Sequence, residues 1–289
     1  MAGKMTFIFS MLIFGSIGLF VRFIPLSSGE IAFSRALIGS LFMFGTIRIK
    51  KKSRFLKISN KQKILLFISG SFLGLNWLFL FEAYKRTTIT QATILYYTAP
   101  ILVLIYSFLF LKERVTKNQL IAIMFAFVGL WLTTGEGSVG VFHANNSGIV
   151  FGLAAAVCYA GVILMNGTLT AVGSNERTFF QLMIAGLVLA PYVFLNGPVT
   201  YFSLSMRSWM FVLIIGVIHT GIAYQLYFSS LQKMKATSAA LMSYIDPLSA
   251  MVFSVVILQE RMTPNEIIGG LMILLAAILA EWKPKKERE

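Results

Sequence analysis

The sequence predicts an all-α membrane protein of ten transmembrane helices, arranged as two inverted repeats of five helices each. Three observations lead to this fold class. Of the 289 residues, 57% are hydrophobic and only 12% are charged, whereas a soluble domain has about a quarter of its residues charged. The apolar residues form continuous stretches of about 20 residues, which is the length of a spanning helix. The two halves of the chain also share a residue pattern at one constant offset.

Ten apolar stretches, separated by polar breaks, mark the predicted helices. They cover residues 5–22, 30–48, 64–84, 90–111, 118–134, 147–166, 177–196, 208–230, 236–258 and 266–282. The break over 135–146 differs from the other breaks, because it carries several Gly and Asn residues but no Lys or Arg. We therefore divide the chain into a first repeat over 1–134, an outer connecting loop over 135–146 and a second repeat over 147–289.

The basic residues predict the orientation of these helices, because Lys and Arg accumulate in cytoplasmic loops. With a cytoplasmic N-terminus, nineteen of them fall on the cytoplasmic side and four on the outer side. We therefore expect a multi-pass protein of the cell membrane with both termini in the cytoplasm. The net charge of +14 has the same explanation, so it does not indicate a nucleic-acid partner.

The repeat relates residues that lie 147 positions apart in the chain. Identical pairs include Gly74 and Gly221, Thr90 and Thr237, Tyr97 and Tyr244, Pro100 and Pro247, and Glu113-Arg114 and Glu260-Arg261. Because each half holds an odd number of predicted helices, the second half enters the membrane in the opposite sense. Inverted repeats of this kind are typical of secondary transporters, which expose a site near the middle of the membrane to each side in turn.

A short sequence that occurs once in each half resembles a known family. In each half a proline is followed by a Glu-Arg-x-Thr ending, Leu-Lys-Glu-Arg-Val-Thr up to Thr116 and Leu-Gln-Glu-Arg-Met-Thr up to Thr263. With the ten predicted helices, this pattern resembles the EamA-type branch of the drug/metabolite transporter superfamily over essentially the whole chain. The resemblance implies a carrier of small molecules, often an exporter of amino acids or other metabolites, with a central cavity between the halves.

Asp246 is the first candidate for a residue of the transport site. It lies within the ninth predicted helix beside Pro247, and a carboxylate at the centre of a membrane costs at least about 2.5–3.5 kcal/mol. It should therefore face a wet cavity or a polar partner. Ala99 stands at the equivalent position of the first half, and the family usually has an apolar residue before this proline. We expect Asp246 to bind the substrate or a proton; the alternative is a hydrogen bond to a neighbouring helix.

Further polar and aromatic side chains within the predicted helices are candidates for the same site. His219 can carry a proton near neutral pH, with a packing role as the alternative. Tyrosines, Asn and Gln within the membrane need hydrogen-bond partners and should avoid lipid. The remaining candidates for substrate binding are Tyr96, Tyr97, Tyr244, Trp77, Asn76, Gln225 and Tyr224. Pro100 and Pro247 should interrupt two symmetry-related helices that border the cavity.

Charged residues near the outer ends of helices have a simpler interpretation. We expect Arg22, Glu30 and Arg35 to form an ion cluster at the outer mouth, with substrate binding by Arg35 as the alternative. Glu82 should be a solvated helix end beside Lys85 and Arg86. Gly70-x-x-x-Gly74 and Gly148-x-x-x-Gly152 should let helices approach closely.

The sequence lacks the H-E-x-x-H, G-x-S-x-G and P-loop motifs that would indicate catalysis. We therefore expect no enzyme activity, no cofactor and no metal. The predicted function is export of small organic metabolites, such as amino acids or amines, by alternating access, with a proton as the candidate coupling ion. An uptake permease of the same fold is the first alternative. A membrane-embedded enzyme or receptor, with Asp246 and His219 as an acid–base pair, is the second.

Overall fold

Helices account for nearly all of the ordered structure. The computed structural model describes residues 2–49, 59–99, 101–103, 105–106, 116–134, 147–169, 172–195, 200–231, 242 and 245–281. These residues form helices and short connections, and none of them lies in a strand. The all-α class predicted from the sequence is therefore confirmed over the described parts of the chain.

We number the helices in chain order. They are α1 (Ala2–Arg22), α2 (Ser28–Ile49), α3 (Asn60–Arg86), α4 (Ile89–Tyr96), α5 (Lys117–Thr134), α6 (Ser147–Thr168), α7 (Ser174–Leu195), α8 (Met206–Leu231), α9 (Ile245–Leu258) and α10 (Pro264–Glu281). The helix α8 is α-helical at both ends and has the wider π-helical winding over Ile214–Ile222. A single 3₁₀ turn, Thr200–Ser203, precedes it.

Six of these helices are long and apolar enough to cross a membrane, namely α1, α2, α3, α6, α7 and α8. Shorter apolar helices, found over Ile89–Val103, Lys117–Gly129, Ile245–Leu258 and Pro264–Ala276, occupy the predicted fourth, fifth, ninth and tenth spans. The sequence therefore predicted the position of each helix, whereas the described length reaches a full membrane span in six of them.

The threonine of the repeated Glu-Arg-x-Thr ending begins the next helix in both halves. Thr116 and Gln119 exchange hydrogen bonds between side chain and backbone at the start of α5. Thr263 and Glu266 do the same at the start of α10. Each pair satisfies two backbone N–H groups that have no partner inside the helix. The threonine that closes this ending in both halves is thus the first residue of a capping box.

The packing of the helices follows the repeat. The contact between α1 and α9 corresponds to the contact between α6 and α4. The contact between α3 and α6 corresponds in the same way to the contact between α8 and α1. The contacts between α2 and α7, α4 and α9, and α5 and α10 each join a helix to its own counterpart. Contacts related in this way are what a twofold relation between two similar halves requires.

In two of these counterpart pairs, the two helices run in opposite directions. Glu260, just after the end of α9, accepts a hydrogen bond from the backbone N–H of Ile89 at the start of α4 (3.0 Å). Gly29 at the start of α2 lies against Tyr192 near the end of α7. Antiparallel counterparts agree with an inverted arrangement of the repeats.

Glycines allow the close approaches between helices. A Cβ atom at Gly70 or Gly74 would lie within about 3 Å of Ile184 or Ala185 on α7. A Cβ atom at Gly148 or Gly152 would press on Thr87 or Leu95 in the same way. The expectation that these Gly-x-x-x-Gly patterns are packing motifs is consistent with both contacts.

Candidate functional site

Asp246 meets Tyr97 at the contact between α9 and α4. The Tyr97 hydroxyl donates a hydrogen bond of 2.5 Å to the Asp246 carboxylate, across 149 residues of sequence. Tyr97 follows α4 in a turn, and Asp246 and the buried Pro247 lie in the first turn of α9. The repeat therefore brings the carboxylate of one half to the tyrosine of the other half.

Tyr96 extends this contact toward α3 and α6. Its ring packs edge-on against Tyr97 and stacks on Tyr159 of α6, with centroids 5.0 Å apart. Asn76 of α3 is fully buried, and its amide nitrogen donates to the Ala155 carbonyl (2.8 Å). Among the described residues, the amide oxygen of Asn76 has no hydrogen-bond partner.

Arg35 lies at the centre of the bundle rather than at its mouth. It stands two turns into α2, about 10 Å beyond the start of the helix, and is only 5% exposed. Its guanidinium group lies 3.9 Å from the ring centroid of Trp77, and its Nε donates to the Thr220 hydroxyl (2.7 Å). The predicted cluster of Arg35 with Arg22 and Glu30 is therefore wrong, because the polar partners of Arg35 come from α3 and α8.

His219 lies next to Thr220 in the π-helical part of α8. Its Nε2 is 3.0 Å from the Ser16 hydroxyl, its Nδ1 is 3.3 Å from the Ile214 carbonyl, and Phe20 packs edge-on against its ring. Both ring nitrogens thus have protein partners. Within the described residues, no hydrogen bond or ion pair joins His219 to Asp246.

Contacts and chain neighbours connect these side chains. Asp246 bonds to Tyr97, which packs on Tyr96, and Arg35 contacts Trp77, the chain neighbour of Asn76 on α3. On α1, Gly15 lies against the Asp246 backbone, and the next residue, Ser16, contacts His219. We call the following residues the central cluster: Arg35, Asn76, Trp77, Tyr96, Tyr97, Thr220, Tyr224 and Asp246.

Four side chains of the central cluster are only partly buried. Tyr96, Tyr97, Tyr224 and Asp246 each keep some accessible surface. Arg35 is buried and forms no ion pair with a described carboxylate. These polar and charged side chains are therefore the candidates for contacts with a small solute.

The other candidates from the sequence lie around this cluster or outside the described residues. Tyr224 packs edge-on against Phe14, and the buried amide nitrogen of the neighbouring Gln225 has no hydrogen-bond partner in the described parts of the chain. Tyr244 and Pro100 fall among the residues that the structure does not describe. Sequence reasoning missed Ser16, Tyr159 and Thr220 as neighbours of the site. Sequence reasoning could have predicted that Arg35 lies within the bundle, since two helical turns separate this residue from the start of α2.

A second group of polar contacts joins helix ends at the predicted outer side. Arg22 forms an ion pair with Glu260 (2.8 Å) and also donates to the Thr87 carbonyl. Glu82 and Arg86 form an exposed pair one turn apart (2.9 Å), as expected for a solvated helix end. In the described parts of the chain, no three His, Cys, Asp or Glu side chains come together in a way that could hold a metal ion.

Comparisons with known proteins agree with this architecture. The EamA-like transporter family matches the chain twice, over residues 1–135 and 146–282. The protein YxxF of Bacillus subtilis, described as an uncharacterized transporter, is 30% identical over 94% of this chain and 87% of its own length. The inner membrane transporter YicL of Salmonella typhimurium, also described as uncharacterized, is 24% identical over 96% of this chain and 94% of its own length.

A solved crystal structure superposes on 97% of this chain and 96% of its own, with a TM-score of 0.65 and 17% identity. That likeness shows the fold alone. The two family matches fall on the two halves whose helices pack as counterparts, and the relatives are named transporters. The chain belongs to the EamA-like transporter family.

Proposed function

We propose that the protein is a secondary transporter that moves small organic solutes across the cell membrane by alternating access, with the central cluster as its solute site. One observation carries this proposal. Asp246, a costly side chain within a membrane, lies among partly accessible tyrosines where the counterpart helices α4 and α9 meet. A site between two counterpart helices is exposed to one side or the other when the halves tilt.

The proposed division of labour follows the repeat. The halves over 1–134 and 147–289 act as the two repeat units, joined by the loop over 135–146. The solute contacts are Asp246, Tyr96, Tyr97, Trp77, Asn76, Tyr224, Gln225 and, by its place in the repeat, Tyr244. His219 borders the site through Ser16 and Thr220, and Pro100 and Pro247 mark the bends of the two counterpart helices.

Asp246 has one of two roles in this proposal. Either it takes up a proton in one orientation of the site and releases it in the other, or it stays ionised and binds a cationic amine on the solute. The Tyr97 hydroxyl donates to a carboxyl oxygen of Asp246, a contact that either form of the side chain can accept. We propose export as the direction of net transport and the proton as coupling ion.

The experiment is flux in proteoliposomes, after a ligand-stabilisation screen of amino acids, amines and nucleosides. Asp246→Asn removes the charge at nearly constant volume. A proton-coupled carrier should lose uphill flux driven by a pH gradient and keep solute exchange, whereas a cation site should lose amine binding. The sign of the pH gradient that drives accumulation reports the direction of transport.

Glu82→Gln is the matched control, because Glu82 is a carboxylate at a helix end whose described ion partner is the exposed Arg86. It should transport like the wild type. Wild-type flux of Asp246→Asn at every pH would mean that Asp246 only packs, and the proposed site would be wrong.

An enzyme or receptor function receives no comparable support. It would use Asp246 and His219 together, but these side chains bond to different partners, Tyr97 on the one hand and Ser16 and Ile214 on the other. The relatives in the comparisons are named as transporters.

A further inference from the structure

The first parts of the counterpart helices α3 and α8 correspond at an offset of 146 residues. Ser59 and Ser205 cap the two helices, and each hydroxyl accepts the backbone N–H three residues further on. Gly70 and Gly216 show the same offset. A Cβ atom on either glycine would lie 2.7 Å or 2.6 Å from an isoleucine, on α7 and α2 respectively, and these two isoleucines are again 146 positions apart.

Beyond Gly216 the helix α8 holds one residue more than α3. Three residues separate the glycines of Gly70-x-x-x-Gly74, whereas four separate Gly216 from Gly221. The offset of 147 residues between the halves therefore begins within α8. The helix α3 is α-helical throughout, whereas Ile214–Ile222 of α8 is π-helical. Because π-helical hydrogen bonds reach one residue further back, a π turn takes up the extra residue without turning the rest of the helix.

The Thr220 hydroxyl joins this π-helical segment to Arg35. Thr220 lies against Gly39 of α2, as Gly74 lies against the corresponding alanine of α7, so a hydroxyl stands where the other half has a glycine. The hydroxyl donates to the carbonyl of Ile215, five residues earlier (3.0 Å), and accepts from Arg35 Nε (2.7 Å). In an α-helix a threonine hydroxyl reaches back three or four residues instead. The contact with Arg35 is therefore made in the wider winding.

The first half makes the corresponding contact with a neutral side chain. Gln181 of α7 lies 146 positions after Arg35 and is as deeply buried, with 4% exposed against 5%. It donates to the Ser69 hydroxyl of the regular helix α3 (2.9 Å). The second half therefore bears two costs that the first half avoids, a rare winding and a buried guanidinium group without an ion pair among the described residues. Costs of this kind are typical of functional sites.

We infer that the extra residue of α8 serves transport rather than folding, with Arg35 and Thr220 as the positioning residues that hold the π-helical segment. The segment directly precedes Tyr224 and Gln225, two of the proposed solute contacts. Arg35 also lies on the ring of a third, Trp77, at 3.9 Å from its centroid. By joining α8 to α2 and α3, this contact sets the places of the three side chains. The inference rests on the proposed transport function and adds the residues that set the geometry of its site.

Deletion of Ile218 tests whether α8 holds an extra residue. Ile218 lies between the two glycines with 37% of its surface exposed, and its removal gives α8 the glycine spacing of α3. The matched control is deletion of Ser71, its counterpart in α3, where no residue is spare. We expect the chain without Ile218 to melt close to the wild type. The chain without Ser71 should lose its fold, because all later residues of α3 are turned by about 100°. Thermal unfolding of the purified full-length proteins is the measurement.

The same deletion of Ile218 should impair solute binding. Thr220 then follows Gly216 by three positions instead of four, which turns its hydroxyl by about 100° away from Arg35. The probe is the amino acid, amine or nucleoside that stabilises the wild type most in the screen. Its effect on the melting temperature reports binding, and flux in proteoliposomes reports transport. We expect the affinity to fall about tenfold or more, the effect of losing one hydrogen bond to a charged group.

Two variants of Thr220 separate positioning from packing. Thr220→Val keeps the methyl group against Gly39 but removes the hydroxyl, so it should weaken solute binding about as much as the deletion does. Thr220→Ser keeps the hydroxyl and removes the methyl group, so it should recover most of the affinity. A residue that only fills space would give the opposite order. Arg35→Lys should not rescue binding, because it keeps the charge without the Nε donor.

Three results would overturn the inference and leave the transport function standing. Equal effects of the two deletions on the melting temperature would mean that α8 holds no spare residue. Wild-type binding and flux after deletion of Ile218 would mean that the extra residue does not serve transport. Stronger binding by Thr220→Val than by Thr220→Ser would mean that Thr220 only packs. A folded wild-type protein that binds and moves nothing in the screen would instead contradict the proposed function, and with it the role in transport that we infer for the extra residue.

Discussion

Glu260 connects three helix ends through one carboxylate. It pairs with Arg22 at the end of α1, accepts the N–H of Ile89 at the start of α4, and accepts the hydroxyl of Ser254 on α9. Gln259 before it takes a left-handed backbone conformation (φ 54°), which ends α9 and directs Glu260 back toward the helix. A carboxylate at the start of α4 also interacts favourably with the positive end of the helix dipole. These contacts hold together the helix ends of the two halves that we predict to lie on the outer side.

At this residue scale we predict that Glu260→Ala destabilises the protein more than Arg22→Ala. The first substitution leaves a helix N–H and a hydroxyl without a charged acceptor, which costs about 2 kcal/mol. The second removes one arm of a partly exposed ion pair, which costs about 1 kcal/mol or less. The measurement is denaturant unfolding of the purified variants and of the double variant.

The exposed pair Glu82 and Arg86 is the control for this comparison, and its removal should change the free energy of unfolding by about 0.5 kcal/mol or less. Equal effects of Glu260→Ala and Glu82→Ala would show that the carboxylate at the start of α4 contributes no more than a surface pair.

At the scale of the elements, the contact between α1 and α9 depends on a single glycine. A Cβ atom at Gly15 would lie 2.0 Å from the Ser249 hydroxyl and 2.6 Å from the Asp246 carbonyl oxygen. Both distances are shorter than any real contact, so the helices would have to separate. Since the carbonyl belongs to Asp246 itself, the close packing of α1 also sets the position of the proposed solute site.

We therefore predict that Gly15→Ala lowers the free energy of unfolding by about 1–3 kcal/mol and lowers transport as well. Gly45→Ala in α2 is the matched control, because the added methyl group would meet no described atom within 4 Å apart from its chain neighbours and its own helix backbone. That variant should gain up to about 1 kcal/mol, since alanine favours a helix over glycine. Denaturant unfolding and flux in proteoliposomes measure the two effects, and a Gly15→Ala protein as stable as Gly45→Ala would contradict the contact.

At the scale of the whole molecule, the distribution of basic residues predicts the orientation in the membrane. We predict that Gly140→Cys reacts with an impermeant thiol reagent from outside the cell, whereas Phe55→Cys reacts only after the membrane is opened. Both substitutions are made in a Cys158→Ala background, which removes the single native cysteine. The reverse labelling pattern would invert the whole topology and place the Glu260 contacts on the cytoplasmic side.

The sequence by itself determined the membrane class, the positions of the helices and the repeat. These properties are local or periodic along the chain: the run of apolar residues, the offset between Glu113-Arg114 and Glu260-Arg261, and the threonine that caps the next helix. Hydropathy and capping act over a few residues, so their physical basis is visible without a fold. Asp246 was a candidate for the same reason, because a charge within an apolar stretch is costly in a membrane whatever the fold.

Only the tertiary structure decided which polar side chains meet. Asp246 pairs with Tyr97 across 149 residues and not with His219, and Arg35 bonds to Thr220 across 185 residues, at the centre of the bundle and not at its mouth. Such partners depend on which faces of two helices are turned toward each other. Close approaches such as that at Gly15 belong to this packing, but a local pattern in the sequence does not say which helix lies opposite.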